Sequence, residues 1–179
     1  GWIIGFSLVG MLTEIVLRYR DVDDFAYVRV LRKVFYWLLV PLIAVLFASL
    51  AVRVLDYGMT ETRYFGFFMA DFILVVTVYN LFSKLKSLRF VTGLLALMTL
   101  VAVIGGPISA RGMSFNSQVE RLGMLLVENG VYVNGELGEL PEGLSAEVYE
   151  EMRSIGDYLN WSLGASEEVN EYFGVEDGR

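Results

Sequence analysis

The polar residues best suited to bind or react are concentrated in one short stretch: Arg53, Asp56, Tyr57, Thr60, Glu61 and Arg63, set around Gly58 between two long apolar runs. Arg53 and Asp56 are three residues apart, and Arg53 and Tyr57 four, so a continuing helix would carry all three on one face. Gly58 then supplies a left-handed turn. Two arginines beside a membrane, where low dielectric strengthens each contact, suit an anion or a phosphate-bearing headgroup. The same pattern also describes a tight inter-helix turn whose charges satisfy one another and the helix ends. A second polar set, Arg111, Ser114, Ser117, Gln118 and Arg121, follows Gly105-Gly106-Pro107. It either grips a polar ligand or connects and caps the helix that follows.

Asp71 lies seven residues beyond Tyr64, inside an apolar run. Acids inside a membrane usually face a protein interior or water, so Asp71 suits a proton relay or transport path. The alternative is a structural Asp hydrogen-bonded to a neighbouring span through Ser49, Thr77 or Asn80. Glu14, a few residues before Arg18, reads as interfacial. The chain has no Cys and no His, which excludes disulfides, thiol chemistry, Ser-His-Asp triads and the usual zinc sites within it. No cofactor and no metal is expected.

These residues sit in a chain of 179 residues that is 55% hydrophobic, more than a single soluble domain of that size needs. Residues 1–110 hold ten Lys/Arg against seven Asp/Glu, a net +3, while residues 111–179 hold four against fourteen, a net −10, which together give −7. An acidic tail is a poor match for nucleic acid, because phosphate binding needs Lys and Arg to replace counterions. Four apolar stretches, near 1–17, 34–52, 64–82 and 90–107, predict about four transmembrane helices, since roughly 20 helical residues cross a membrane core. Gly1-x-x-x-Gly5 and Ala44-x-x-x-Ala48 offer close helix packing. The chain opens at Gly1 inside an apolar run, which reads as a piece of a longer protein.

Between the first and second spans lie Arg18, Arg20, Arg29, Arg32 and Lys33, and between the third and fourth Lys84, Lys86 and Arg89. The loop between the second and third spans holds only Arg53 and Arg63, and the acidic tail lies on its side, so the basic loops are predicted cytoplasmic and the tail extracytoplasmic. Tyr36, Trp37, Tyr57, Tyr64 and Phe65 lie near span ends, where amphipathic rings settle. The tail reads as a small, mostly helical α+β unit. Ser117-x-x-Glu120 predicts a capping box opening a helix that Asn129-Gly130 closes. Val131 to Val133, between two Asn-Gly turns, predicts a strand pairing with Glu136 to Leu140. Val148, Met152, Ile155 and Leu159 predict a second helix after Ser145, and a third short one follows Ser166. The fold class is therefore an all-α membrane protein with a small α+β extramembrane tail.

The stretch Val52-Arg53-Val54-Leu55-Asp56-Tyr57-Gly58-Met59-Thr60-Glu61-Thr62-Arg63-Tyr64 resembles the bacterial membrane family numbered 4153 among domains of unknown function. That family carries an Arg-Val-x-x-Tyr-Gly-Leu-Thr-x-x-Arg-like pattern between two hydrophobic segments, with Leu where Met59 stands here. Gly106-Pro107-Ile108-Ser109-Ala110, then Ser114, Ser117-Gln118 and Arg121-Leu122, are similar to its Gly-Pro-x-x-Ala and Ser-x-x-Ser-Gln-x-x-Arg-Leu pattern. Ser154 to Leu159 is similar to a family segment ending in Tyr-Leu, so the resemblance runs from about 34 to 160. It implies a multi-span inner-membrane protein with further helices upstream, and it implies no activity, substrate or cofactor. With both motifs on the extracytoplasmic side, they are expected to meet in one joint or one site.

The resulting expectation is a non-enzymatic interaction, scaffold or signal-relay module of the bacterial inner membrane. Its partners would be the bilayer, the upstream spans of the same protein and another envelope protein. A transporter or envelope-lipid permease component using Asp71, Arg53 and Arg63 is the alternative. An integral-membrane enzyme on lipid or glycan, using Asp56, Glu61 and Arg63, is the third reading.

Overall fold

Among the residues that the computed structural model describes, 2–19, 26–83, 87–133, 136–141 and 143–174, each expected apolar stretch falls on a helix. These are α1 (Trp2–Tyr19), α2 (Ala26–Tyr57), α3 (Glu61–Phe82) and α4 (Leu88–Ile104). Two of them, α2 and α3, are long and apolar enough to cross a membrane, whereas Trp2–Val16 and Leu88–Ile104 are shorter apolar helices. The fourth stretch stops at Ile104 rather than 107, because Gly106 takes a positive φ of 57° and Pro107 cannot continue the ladder. In the other direction α2 begins well before residue 34, so Arg29, Arg32 and Lys33 are helical and not part of a loop. Helix formation does not stop where hydrophobicity does, and Arg32 finds a partner on α1. Arg20, Lys84, Lys86 and the Asn134-Gly135 turn lie outside the described residues.

The chain forms two compact units, Gly1–Tyr57 with Thr62–Ala102, and Gly58–Glu61 with Val103–Arg179. In the first, Met11, Tyr36, Leu39, Ile43, Phe72 and Ile73 make the main buried cluster, and Leu46, Leu50 and Ala70 a second. Only 22% of the most apolar window of α2 is buried and 39% of that of α3, so much of their apolar surface is left uncovered. Within this unit Glu14 is 7% exposed, and its carboxylate meets Arg32 Nε at 2.9 Å and accepts from the Tyr36 hydroxyl at 3.3 Å. The expected interfacial Glu14 is thus a buried, paired acid.

The second unit is built on α5 (Ala110–Glu128). Its start is fixed by Ser109, whose hydroxyl donates to the Gly106 carbonyl at 2.6 Å and accepts from the Gly112 N–H at 3.1 Å. A Cβ on Gly112 would come within 2.2 Å of the Gly106 carbonyl oxygen, so this close return requires glycine. The helix therefore opens two turns earlier than the expected Ser117 capping box, because Ser109 already meets the free amides there. Asn129 and Gly130 (φ 70°) close it as expected. Strand β1 (Tyr132–Val133) then pairs antiparallel with β2 (Glu136–Leu137), Tyr132 opposite Leu137.

Ser145 caps α6 (Ala146–Asp157), which runs into a π-helical turn at Tyr158–Ser162, and α7 (Ser166–Phe173) ends at the left-handed Gly174. Val119, Leu122 and Leu126 of α5 pack with Met152, Ile155, Leu159 and Phe173 in one core. Leu159 is 1% exposed and sits where α6 gives way to the π-helical turn. Leu159→Ala should cost about 2–5 kcal/mol, the range for emptying a buried leucine site. Amide hydrogen exchange of the intact chain should then rise across α5 and α6 together, while exchange in α2 stays unchanged.

Candidate functional site

The connector between α2 and α3 has three residues, Gly58 to Thr60, and peptide groups at both flanking helix ends need partners. Gly58 ends α2 with φ 69°, the left-handed conformation that glycine adopts without steric cost. The next residue is held on both peptide groups. The Met59 N–H donates to Ser117 Oγ at 2.8 Å, and Gln118 Nε2 donates to the Met59 carbonyl at 2.8 Å. Two residues on, the Glu61 N–H donates to the Tyr158 hydroxyl at 3.0 Å, which satisfies one free amide of the first turn of α3. Gln118 is 3% exposed. Its amide nitrogen would lie 2.7 Å from any Cβ on Gly58, and Ser117 Oγ 3.2 Å, so the space that glycine leaves is filled by these side chains.

The structure thus brings Gly58 of the first polar stretch, with Met59, against Ser117 and Gln118 of the second, and Glu61 against Tyr158, while Thr60 lies half-buried in the connector between them. Arg63 stays nearer its own helix pair: Nη1 donates to the Tyr57 carbonyl at 2.9 Å and the guanidinium lies 5.6 Å from the Tyr57 ring centroid. A cation on the last carbonyl of α2 complements the negative end of that helix. Arg53 and Asp56 are exposed on the last turns of α2 and form no ion pair among the described residues. Arg121 Nε meets Glu151 Oε1 at 3.0 Å, tying α5 to α6. Ser114 is fully buried, and its hydroxyl has no hydrogen-bond partner among the described residues.

Asp71 is exposed on α3, on the side away from Phe72, Val76 and Asn80, and no hydrogen bond joins it to Ser49, Thr77 or Asn80 among the described residues. No group of three or more His, Cys, Asp or Glu among them is arranged to hold a metal. Two contributors escaped sequence reasoning as site residues, Tyr158 and Glu151. Tyr158 stands in the Tyr-Leu pair of the third segment on which the resemblance was read. Glu151 carried none, being one of many acids in the tail.

The arrangement grips a backbone. All three groups recruited to the connector, one hydroxyl acceptor, one amide donor and one phenol acceptor, bind peptide N–H or C=O. A Gly58→Ala substitution forces a left-handed alanine, costing about 1–2 kcal/mol from the backbone alone, and displaces Gln118. Ser117→Ala removes one net hydrogen bond and leaves the Met59 amide unmet, about 1–3 kcal/mol if that amide stays buried. Both variants should raise hydrogen exchange at the Met59 and Glu61 amides while the β1–β2 amides keep their protection. Unchanged exchange at Met59 in Ser117→Ala would contradict the contact.

Comparison with curated proteins finds no match, and none is found among solved structures. Comparison with protein families matches residues 3–123 to the family described as Domain of unknown function (DUF4153). That span contains Gly58, Met59, Ser117 and Gln118, the residues whose contacts close the connector. With well over half its length matched, the chain belongs to the DUF4153 family.

Proposed function

We propose that the chain is a multi-pass module of the bacterial inner membrane, with spans near 1–17, 34–52, 64–82 and 90–107 and an extracytoplasmic acidic tail. It acts as an interaction, scaffold or signal-relay component and not as an enzyme. The observation that carries this reading is the connector. Ser117, Gln118 and Tyr158 are engaged in holding the peptide groups of Met59 and Glu61. Ser117 and Gln118, both within the family match, are engaged with backbone and serve a joint. Burying only 22% of the most apolar window of α2 supports the membrane, since a soluble core helix would be covered on most of its surface.

Orientation rests on charge: eight Lys/Arg flank the spans on one side and Arg53 and Arg63 on the other. Partner binding draws support from Asp71, ten residues into α3 and exposed. A carboxylate at that depth calls for a polar group from another span, supplied by upstream helices of the same protein or by an envelope partner. The transporter or lipid-permease reading keeps one observation in its favour, that Arg53 and Asp71 are both exposed and unpaired among the described residues.

Single cysteines at Ser145 and Ser87 of this cysteine-free chain test the topology in the full-length protein. A membrane-impermeant thiol reagent on intact cells is expected to label position 145 and not 87, and the reverse pattern would put the tail in the cytoplasm. Asp71→Asn keeps the hydrogen-bonding capacity of the side chain and removes its charge. The module reading expects unchanged growth in cells that require the protein, and lost growth would move the balance to the permease.

A further inference from the structure

Inside the first unit lies a cavity of about 310 Å³ to which all four helices contribute. Leu12 of α1 and Leu95 of α4, both exposed, stand at its edge, and Phe72 and Val76 of α3, both buried, form part of its wall. Its polar groups gather at one end. Glu14 of α1, Tyr36 of α2 and Asn80 of α3 line it while being 7%, 2% and 8% exposed, and each comes from the half of its helix nearest the 20–25 and 84–86 connections. From Leu8 to Glu14 the lining covers about 9 Å along α1, and from Leu88 to Leu95 about 10 Å along α4. The volume is about twice the ~150 Å³ apolar cavity that accepts one benzene ring. A slot of that length, apolar along its walls and polar at one end, fits a single hydrocarbon chain with a small head.

The head is defined by what the polar end already contains. The Glu14 carboxylate is paired with Arg32 and receives the Tyr36 hydroxyl, so each of these two charges has its opposite beside it. A head with net charge would bring an uncompensated ion into a poorly solvated site. A carboxylate offers about four lone-pair sites, so a hydroxyl can share Glu14 with the partners it already has. The Tyr79 hydroxyl, also in the lining, accepts from the Ser87 N–H at 2.7 Å and has its own proton to donate. A group that both donates and accepts without charge is a hydroxyl. We infer that this cavity binds a neutral, hydroxyl-headed, single-chain amphiphile, its chain entering from the bilayer between Leu12 and Leu95 and its head reaching Glu14 and Tyr79.

This site shares no residue with the connector and does not depend on which side of the membrane the tail occupies. The test uses the full-length protein in phosphatidylcholine bilayers and a 1-decanoylglycerol analogue with a photoreactive diazirine on its chain. Adducts are mapped by mass spectrometry. Labelling is expected on the peptides containing Leu8–Glu14 and Val91–Leu95, and unlabelled 1-decanoylglycerol should compete at least about tenfold better than decanoate or decylammonium. Competition by 1-decanol as strong as by the glyceride would make one hydroxyl sufficient, and weaker competition would assign the glycerol head.

Thr92→Phe, on the lining and at an exposed position, should fill the slot and lower the competed labelling by at least about tenfold without moving the thermal unfolding midpoint. Val91→Phe fills the slot from the adjacent position should the first variant fail to fold. Labelling that is spread over the exposed face of α2 and not competed would mean that the probe reports bilayer solvent only. That result, equal competition by decanoate, or undiminished labelling of a folded filled variant would each overturn the inference.

Discussion

Met59 carries one peptide N–H and one carbonyl in a turn too short to satisfy them within itself, and both are met by consecutive residues of α5. An unmet buried peptide group costs about 1–3 kcal/mol, whereas a made hydrogen bond yields only about 0.5–1.5 net. The loss on breaking the contact therefore exceeds the gain on forming it, and the connector is specified mainly against alternatives that leave it open. Several other choices follow from this constraint. Residue 58 must be glycine twice over, for its φ of 69° and for the Gln118 amide that occupies the space beside its Cα. Helix α5 must present Ser117 and Gln118 toward the turn, which its early start at Ser109 makes possible. Tyr158 must reach Glu61, which requires α6 to lie against α5 through Val119, Leu122, Met152 and Ile155.

The second unit is held by apolar packing far more than by its charges. Arg111 meets both carboxylate oxygens of Glu168, at 2.8 and 3.0 Å, but the side chains are 50% and 42% exposed, a setting where such pairs contribute at most about 1 kcal/mol. Arg121 and Glu151 are better shielded, at 23% and 35%, and add direction by fixing α6 along α5. Burying Leu126, Leu159 and Phe173 outweighs both, at roughly 1.5–3 kcal/mol per side chain. The acidity of the tail is thus a surface property. It leaves the fold alone and shapes what can approach.

Much of this architecture is legible in the sequence because the signals are local. The apolar runs found their helices, Asn129-Gly130 its helix end, Ser145 its helix start, and the Val131 to Val133 stretch the strand Tyr132–Val133 that pairs with Glu136–Leu137. Where two local signals competed, position decided. Ser117 looks like a helix cap, yet Ser109 follows Gly106-Pro107 directly and starts the helix first, which frees Ser117 for a contact 58 residues away in sequence. Non-local partners have no such signal. Nothing in the spacing of Glu14, Arg32 and Tyr36 announces that they share a buried site, because the pairing depends on how α1 packs on α2. The connector was readable only through the two family-pattern motifs, whose residues proved to be neighbours in space.

Glu14 and Asp71 are the same chemical problem with two different answers. Each places a carboxylate within a mostly apolar helix, where an unpaired charge is costly. Glu14 is answered inside its own unit, by a guanidinium at 2.9 Å and a phenol at 3.3 Å. Asp71 sits about 15 Å along α3 from the start of that helix, near its middle. It points away from the helix face that holds Thr77 and Asn80, so the polar groups of its own helix cannot serve it. The carboxylate therefore stays exposed on an otherwise apolar stretch of α3, and among the described residues it has no counterpart of the guanidinium and phenol that meet Glu14.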